Sequence, residues 1–196
     1  MIRTLAFVLV AAIGLGVPVA HVFEGRISQA VAANAPTINW KDLVPEGYDP
    51  NELIKMYNRE ASTLTDNDPR GAQLSEKYRK LWEEAPVVAS LNNKTVKLSG
   101  FLVTLEGDGK AVSEFLLVPY FGACIHVPPP PSNQIVLVRT GQKPFKVNQM
   151  FQTVSVTGRL RTEASRNDLA SSSYVIEATL VEPRAPERHP LAPPRQ

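Results

Sequence analysis

One cysteine and one histidine lie two residues apart near the middle of the chain. Cys124 is the only cysteine among the 196 residues, and His126 is one of three histidines. Apolar runs at 115–118 and 135–138 bracket the pair, which places it between two predicted core strands. Thiolate and imidazole are ligands that zinc and copper favour. If the backbone is extended here, both side chains project to one face, and the pair predicts a metal site.

Two ligands do not complete such a site, since zinc sites normally take three or four ligands from protein. A partner protein or a second copy of the chain could supply the remainder. The sequence itself also offers candidate donors, among which it does not choose: Glu114, Asn133, Glu177 and His189.

Other interpretations of Cys124 stay open. The thiol could be buried as a small apolar side chain, or serve a redox or intermolecular disulfide role in an oxidising compartment. A thiol-dependent enzyme with His126 as the base is a further alternative. Neither an orienting acid nor an oxyanion-binding loop is evident from the sequence, so the pattern favours a binding site over a catalytic one.

Four consecutive prolines follow the cysteine and histidine pair almost at once. Proline lacks an amide hydrogen and favours the polyproline II conformation, so we expect a stiff, exposed spacer with an apolar surface. The run could simply fix the angle between two strands, or it could dock into the aromatic groove of another protein. The predicted partner-binding residues are Tyr120, Phe121, Pro128, Pro129, Pro130, Pro131 and Asn133.

Two helices are predicted in the segment 33–86, ahead of the strands. Asp49 followed by proline is a helix start, and this helix should end near Ala61. Asp68 with Pro69 is a second start signal, and apolar residues at helical spacing continue until Pro86. We expect both helices to pack on the following domain, with Trp40 and Leu43 as anchors ahead of them.

From Thr95 onward the apolar period changes to two residues, which indicates strands. The pattern changes phase at Gly100, which predicts a bulge or bend that lets one long strand serve both halves of a barrel. Five strands are predicted, whereas a sandwich usually needs about seven. The sequence therefore predicts a mainly β fold with N-terminal helices, in which residues 87–182 form a small five-stranded Greek-key barrel of the OB type.

The two ends of the chain have distinct compositions. Residues 1–32 combine Arg3, an apolar run at 5–20 and small residues at 30–32, which predicts a cleaved signal peptide and a periplasmic protein. The apolar region is nearly long enough to span a bilayer, so an uncleaved inner-membrane anchor is the alternative. Residues 183–196 contain five prolines, which predicts a disordered or extended tail.

The charged residues argue against a nucleic-acid partner. The chain has 21 basic and 19 acidic residues, for a formal net charge of +2. The basic residues are scattered along the sequence instead of forming a stripe. Nucleic-acid binding depends on clustered positive charge, so we expect none here.

The segment Glu114-Phe-Leu-Leu-Val-Pro-Tyr-Phe-Gly-Ala-Cys-Ile-His126, with Gly100-Phe-Leu-Val103, the proline run and Asn133-Gln134, resembles an exported proteobacterial family classed as a domain of unknown function. The resemblance covers about Val87 to Val181. Some members of that family are encoded beside an exporter-like ABC permease and a histidine-rich periplasmic protein in zinc-responsive clusters. The resemblance implies an accessory role in metal handling, with Cys124 and His126 as candidate ligands.

Together these observations predict a non-enzymatic periplasmic accessory protein of a transport or envelope complex. We expect its partners to be periplasmic or inner-membrane transport proteins, and its metal to be zinc or copper, held by Cys124 and His126. The first alternative is a metal-free interaction module that uses the proline ridge, and the second is a thiol-dependent enzyme.

Overall fold

The computed structural model describes residues 34–65, 68–105, 111–124, 129–141, 143–149 and 151–185. The predicted signal peptide at 1–32 lies outside this part of the chain, as do His126 and Pro128. Of the predicted tail, only residues 183–185 are described.

The described residues contain two α-helices and five barrel strands. The helices are α1 (Pro50–Ala61) and α2 (Arg70–Glu83). The barrel strands are β1 (Lys94–Thr104), β2 (Glu114–Val118), β3 (Val136–Arg139), β4 (Thr153–Arg161) and β5 (Tyr174–Pro183). Two-residue strands form two small ribbons, Ala111–Val112 with Phe145–Lys146 and Ser165–Arg166 with Ser171–Ser172. Short 3₁₀ turns span Trp40–Leu43, Ala89–Leu91 and Ser132–Gln134.

The five strands close into a barrel in the order β1-β2-β3-β5-β4. Neighbouring strands are antiparallel except β3 and β5, which pair in parallel from Val136 with Tyr174 to Arg139 with Glu177. Closure leaves these five described strands without an unpaired edge of the kind that invites aggregation. The predicted fold class, a mainly β protein with N-terminal helices and a small OB-like barrel, is confirmed.

Strand β1 pairs with β4 over 94–101 and with β2 over 101–104, so it does serve both halves of the barrel. The predicted bulge at Gly100 is wrong, because the pairing with β4 keeps one register from Lys94 to Phe101. Glycine is needed at position 100 for space: a Cβ there would lie 2.7 Å from the Val118 carbonyl oxygen and 2.8 Å from the Trp40 ring. The register shift lies instead in β4, between Thr157 and Gly158.

Alternate residues of each strand face the barrel interior and form its core. Leu98, Phe115 and Ile176 are fully buried there. The segment ahead of α1 contributes to the same core, since Leu43 is fully buried and the Trp40 indole donates a hydrogen bond to the Ser99 carbonyl at 2.9 Å. Both predicted anchors are thus confirmed.

Strands β2 and β3 are buried on their outer faces as well. Leu116 and Leu137 point away from the barrel interior and belong to a second apolar cluster. Loops cover this cluster, because Ala123 and Phe151 are buried in it and Leu169 packs against it. In OB-folds the face of strands 2 and 3 often holds the ligand. Here the chain's own loops cover that face.

The helices begin and end close to the predicted residues. Asp49 caps α1 by accepting a hydrogen bond from the Asn51 amide at 2.8 Å. No side chain of α1, all of which is described, is buried, and its contacts are mainly with α2. The Tyr78 hydroxyl donates to a Glu60 carboxylate oxygen at 2.6 Å and joins the two helices. From the last turn of α2, Trp82 donates its indole hydrogen to the Pro129 carbonyl oxygen at 3.0 Å.

Candidate functional site

The segment that carries Cys124 leaves the end of β2 and folds back across the outer face of the barrel. Its backbone is not extended: Gly122 has φ of +83° and Cys124 has φ of +69°. Few residues other than glycine adopt this left-handed conformation. The predicted extended geometry is therefore wrong at Cys124, and with it the argument that Cys124 and His126 share one face. Because residues 125–128 lie outside the described part, the placement of His126 stays a prediction.

The Cys124 side chain is half-buried and packs against the outer apolar cluster. Burial raises the pKa of the thiol from 9.0 to about 11. Burial also raises the pKa of the neighbouring Tyr120 hydroxyl, and the charge of the Cys124 thiolate adds a smaller contribution. At neutral pH, Cys124 is therefore a protonated, largely apolar thiol.

The two acidic side chains among the predicted metal donors form ion pairs in the described structure, and His189 lies outside it. Glu114 and Glu177 both pair with Arg139, at 3.0 and 3.6 Å. Asn133 is fully buried and donates its side-chain amide to the Pro86 carbonyl at 2.8 Å, whereas its side-chain oxygen, Oδ1, is buried without a hydrogen-bond partner among the described residues. No group of three or more histidine, cysteine, aspartate or glutamate residues within the described part of the chain could hold a metal ion. Binding of zinc or copper through Cys124 and His126 stays a prediction.

The proline run is less exposed than the sequence predicted. Pro130 and Pro131 are buried and Pro129 is half-buried, so the expectation of an exposed ridge is wrong for these residues. Trp82, in the last turn of α2, binds the Pro129 carbonyl and so brings the helix beside the run. The following residue is fixed too, because the Ser132 hydroxyl accepts a hydrogen bond from the Ser173 hydroxyl at 2.7 Å. The run thus joins the helices to the barrel.

Asn133 cannot contact a partner directly in this structure. Its side chain has no exposed surface, and its amide hydrogen bond to Pro86 ties the start of β3 to the segment after α2. The adjacent Gln134 donates to the carbonyl of Trp40 at 2.8 Å. The predicted partner-binding role of Asn133 is therefore corrected to a structural one.

The two remaining predicted partner-binding residues that the structure describes are exposed, and they adjoin an aromatic cluster. Phe121 is 60% exposed and Tyr120 is 38% exposed. The Phe121 ring lies between those of Phe151 and Phe101, with centroid distances of 4.8 and 6.1 Å. We call Phe101, Tyr120, Phe121 and Phe151 the aromatic patch. Phe151 is buried and Phe101 is half-buried, so Phe121 is a projecting ring on an apolar base.

The DUF3299 family, described as "Protein of unknown function (DUF3299)", matches residues 40–183 of the chain. The chain belongs to this family. A crystal structure of a DUF3299 family protein from Pseudomonas aeruginosa PAO1 is similar to it, with 35% sequence identity and a TM-score of 0.58. The match covers 79% of this chain and 99% of that one. A comparison with curated proteins gives no match.

Membership of a family of unknown function is thus confirmed for the chain, as the sequence predicted. The genetic neighbourhood of zinc-responsive transporters stays a prediction. Neither helix found in the described residues of this DUF3299 protein has the length and apolar character that a membrane-spanning helix needs.

Two residues of the aromatic patch were missed in the sequence. Phe101 follows Gly100 and was interpreted only as a strand residue, although its ring lies on the outer face beside Phe121. Phe151 lies in an irregular connection, has φ of +54°, and shows no apolar period that would mark it. Position near a strand end is no signal for such a ring, because Phe115 and Phe145 also lie at strand ends and pack in or against the barrel core.

A cavity of about 290 Å³ lies between α2, the proline run and the loop that joins β4 to β5. Its walls include Trp82 and Pro129, and two arginines lie at its edge. Both guanidinium groups pair with the same carboxylate: Arg79 lies 2.6 Å and Arg166 3.4 Å from Glu83. Arg79 also pairs with Glu76 at 2.6 Å, so two carboxylates offset the two guanidinium charges, and we assign no ligand to this cavity.

Proposed function

We propose that this DUF3299 protein is an exported, non-enzymatic accessory protein that binds another protein of a transport or envelope complex through the aromatic patch. The observation that carries this proposal is the 60% exposure of Phe121, although two other phenylalanine rings flank it. A partner that covers the ring would remove this apolar surface from water.

The energetics favour such a contact. Full burial of a phenylalanine side chain contributes about 1.5–3 kcal/mol. Contact with Phe101 and Phe151 restricts the Phe121 ring before any partner arrives, which lowers the entropy lost on binding. Protein interfaces are enriched in aromatic side chains, and a few of them supply most of the binding energy. Phe121 has the exposure and the rigid base of such a residue.

The chemistry of Cys124 supports a binding role over a thiol-dependent enzyme. The thiolate is the reactive form of cysteine, and a thiol with pKa of about 11 is almost wholly protonated at neutral pH. Enzymes that use a cysteine nucleophile instead lower its pKa with a neighbouring positive charge or a helix N-terminus. The surroundings of Cys124 shift its pKa in the opposite direction.

Metal binding through Cys124 and His126 is a second candidate. The observation that favours it is that Cys124 is only half-buried and lies on the segment that continues to His126. Zinc would have to displace the thiol proton, and a raised pKa makes that displacement less favourable. The second candidate is compatible with the first, since a metal could order the segment that carries Phe121.

The proposed compartment and partner class rest on the N-terminal sequence and the family resemblance. Arg3, the apolar run and the small residues at 30–32 support export across a bacterial inner membrane. Fractionation of cells that produce the full chain with a C-terminal epitope tests this part. The proposal expects the protein in the periplasm or at the inner membrane, and recovery in the cytoplasm contradicts it.

Site-specific photo-crosslinking in the producing cells tests the patch. A photoreactive phenylalanine analogue replaces Phe121 in one variant and Leu180 in a matched control, because Leu180 is 42% exposed on β5. We expect a crosslinked species of one discrete mass from position 121 and none from position 180. The same species from both positions, or none from either, contradicts the proposal.

A further inference from the structure

We propose that residues 186–196 of this same chain, which follow the last described residue, bind the aromatic patch as a polyproline II ligand and compete there with the partner protein. The inference rests on the proposed function, because it names a regulator of the same surface. Four observations support it: where the described chain ends, which residues lie beside that end, how far the remaining segment can reach, and what the segment contains.

The described chain ends beside the patch. After β5, the Arg184 amide donates a hydrogen bond to the Thr153 carbonyl at 2.9 Å, which continues the pairing with β4. The Arg184 guanidinium donates to the Ser99 hydroxyl at 2.9 Å, on β1. This contact holds the side chain of Arg184 against the outer surface of the barrel. The chain therefore leaves the barrel with its last described residues anchored to β4 and β1.

Both anchor points adjoin patch residues. Phe101 follows Ser99 by two positions in β1, so their side chains share one face about 7 Å apart. Phe151 precedes Thr153 by two positions in the chain. The remaining segment has 11 residues, 186–196, and would span roughly 30 Å as polyproline II. The patch is thus well within its reach.

The segment has the composition that aromatic surfaces bind. It reads Pro-Glu-Arg-His-Pro-Leu-Ala-Pro-Pro-Arg-Gln, with proline at 186, 190, 193 and 194. Proline-rich segments with two residues between prolines, as at 190 and 193, dock on grooves lined with aromatic rings. Their preformed backbone loses little entropy on binding. The projecting Phe121 ring, next to Tyr120 and Phe101, offers such a surface.

The same chain already makes one contact of this type. Pro131 has φ of −59° and ψ of 152°, which are polyproline II values. Two residues earlier, the Pro129 carbonyl accepts the indole hydrogen of Trp82. An aromatic side chain of this protein therefore binds a proline segment of the same protein. The segment 186–196 and the aromatic patch would form a second pair of this kind.

Tethering determines the expected size of the effect. A short flexible tether gives an attached ligand an effective concentration in the millimolar range. The attached tail would compete with a free peptide of the same sequence. If the free peptide binds the patch with a dissociation constant near 0.1 mM, its apparent affinity for a chain with the tail is about tenfold weaker than for a chain without it. The tail would lower the affinity for a partner at the same patch by a similar factor.

A peptide titration tests the inference on two forms of the protein, the full mature chain and a chain that ends at Ala185. The probe is a synthetic peptide of residues 186–196, and binding is measured by fluorescence anisotropy. We expect the peptide to bind the shortened chain about tenfold more tightly than the full chain. Phe121→Ala in the shortened chain should abolish binding, whereas Leu180→Ala should not change it. A peptide with Pro190→Ala, Pro193→Ala and Pro194→Ala should fail to bind.

Equal affinity for the two chains, no binding to the shortened chain, or binding that survives Phe121→Ala would overturn the inference. A dimer of the full chain that disappears on truncation would overturn it too, because the tail would then occupy a second copy. The proposed function is tested separately. If the partner binds equally well without Phe121, the proposed function is contradicted, even if the peptide binds. If partner binding requires Phe121 but the peptide does not bind, only the inference about residues 186–196 is contradicted.

Discussion

The ring of Phe121 lies 4.8 Å from the ring of Phe151, and yet 60% of the Phe121 side chain is exposed to solvent. Phe151 is buried in the outer apolar cluster of the barrel. The pair therefore links a surface ring directly to the folded core. A residue held in this way contributes binding surface without first having to be ordered.

The first prediction concerns the hydroxyl of Tyr174, which joins the N-terminal segment to the barrel. It donates to the Leu43 carbonyl at 2.8 Å and accepts from the Val88 amide at 2.7 Å. Tyr174→Phe leaves both backbone groups without their partner, so we expect a loss of about 2 kcal/mol in the free energy of unfolding, measured by urea denaturation. Tyr57→Phe removes only a long exposed contact to Ser75 and should cost less than about 0.5 kcal/mol. Equal losses in the two variants would contradict this account.

The second prediction concerns the glycine at the register shift. A Cβ at Gly158 would overlap the Glu177 carbonyl oxygen and lie 2.8 Å from the Ala178 Cα. Both are backbone atoms that cannot turn aside, so Gly158→Ala should lower the free energy of unfolding by about 3 kcal/mol. The matched control is Gly71→Ala in α2, where no atom lies within 4 Å of the added group. It should raise stability by about 0.5–1 kcal/mol. If Gly158→Ala leaves the free energy of unfolding unchanged, the prediction is contradicted, because β4 and β5 must then be able to move apart.

The third prediction concerns the reactivity of Cys124. Its pKa of about 11 in the folded protein exceeds the ordinary value of 9.0, so at pH 8 the folded thiol is ionised about 100-fold less than the unfolded one. Alkylation by iodoacetamide should be slower in the native state than in urea by at least this factor. From pH 9 to 11 the unfolded chain holds fewer protons than the folded one, so stability should fall as the pH rises. Fast native alkylation at pH 8 would instead favour redox or nucleophilic chemistry.

The fourth prediction concerns the metal hypothesis. If Cys124 and His126 bind zinc, the reduced mature protein should bind about one zinc per chain, as measured by metal analysis and titration. Cys124→Ser and His126→Ala should each weaken the affinity at least tenfold, since each removes a ligand. His189→Ala tests whether the tail supplies a further donor. Weak binding that is the same in all these proteins would remove the hypothesis.

The helices and barrel strands could be predicted because their signals are local. Asp49 with Pro50 sets the start of α1, and the actual cap is the expected hydrogen bond from the Asn51 amide. Alternating side chains identified β1, β4 and β5, and continuous apolar runs identified β2 and β3, which are buried on both faces. The number of strands then favoured a small OB-like barrel, whereas the order of the strands is known only from the structure.

The candidate site was less predictable because its contacts are distant in sequence. Trp82 binds the Pro129 carbonyl from a helix that the pattern could not orient, and the burial of Pro130 and Pro131 has no signal in the sequence. The left-handed backbone at Cys124 has no residue-level signal, because cysteine has no special preference for it. Phe151 lies outside any periodic segment, so its contact with Phe121 could not be inferred.

The most direct test of the central claim is the affinity of the crosslinked partner, once purified, for four forms of this protein. Isothermal titration compares the unaltered mature chain with Phe121→Ala, Leu180→Ala and a chain that ends at Ala185. We expect Phe121→Ala to weaken binding about 30-fold or more, as loss of a central aromatic contact does. Leu180→Ala should leave the affinity within about twofold, and the shortened chain should bind about tenfold more tightly. An affinity that Phe121→Ala leaves unchanged would contradict the claim that the aromatic patch binds the partner.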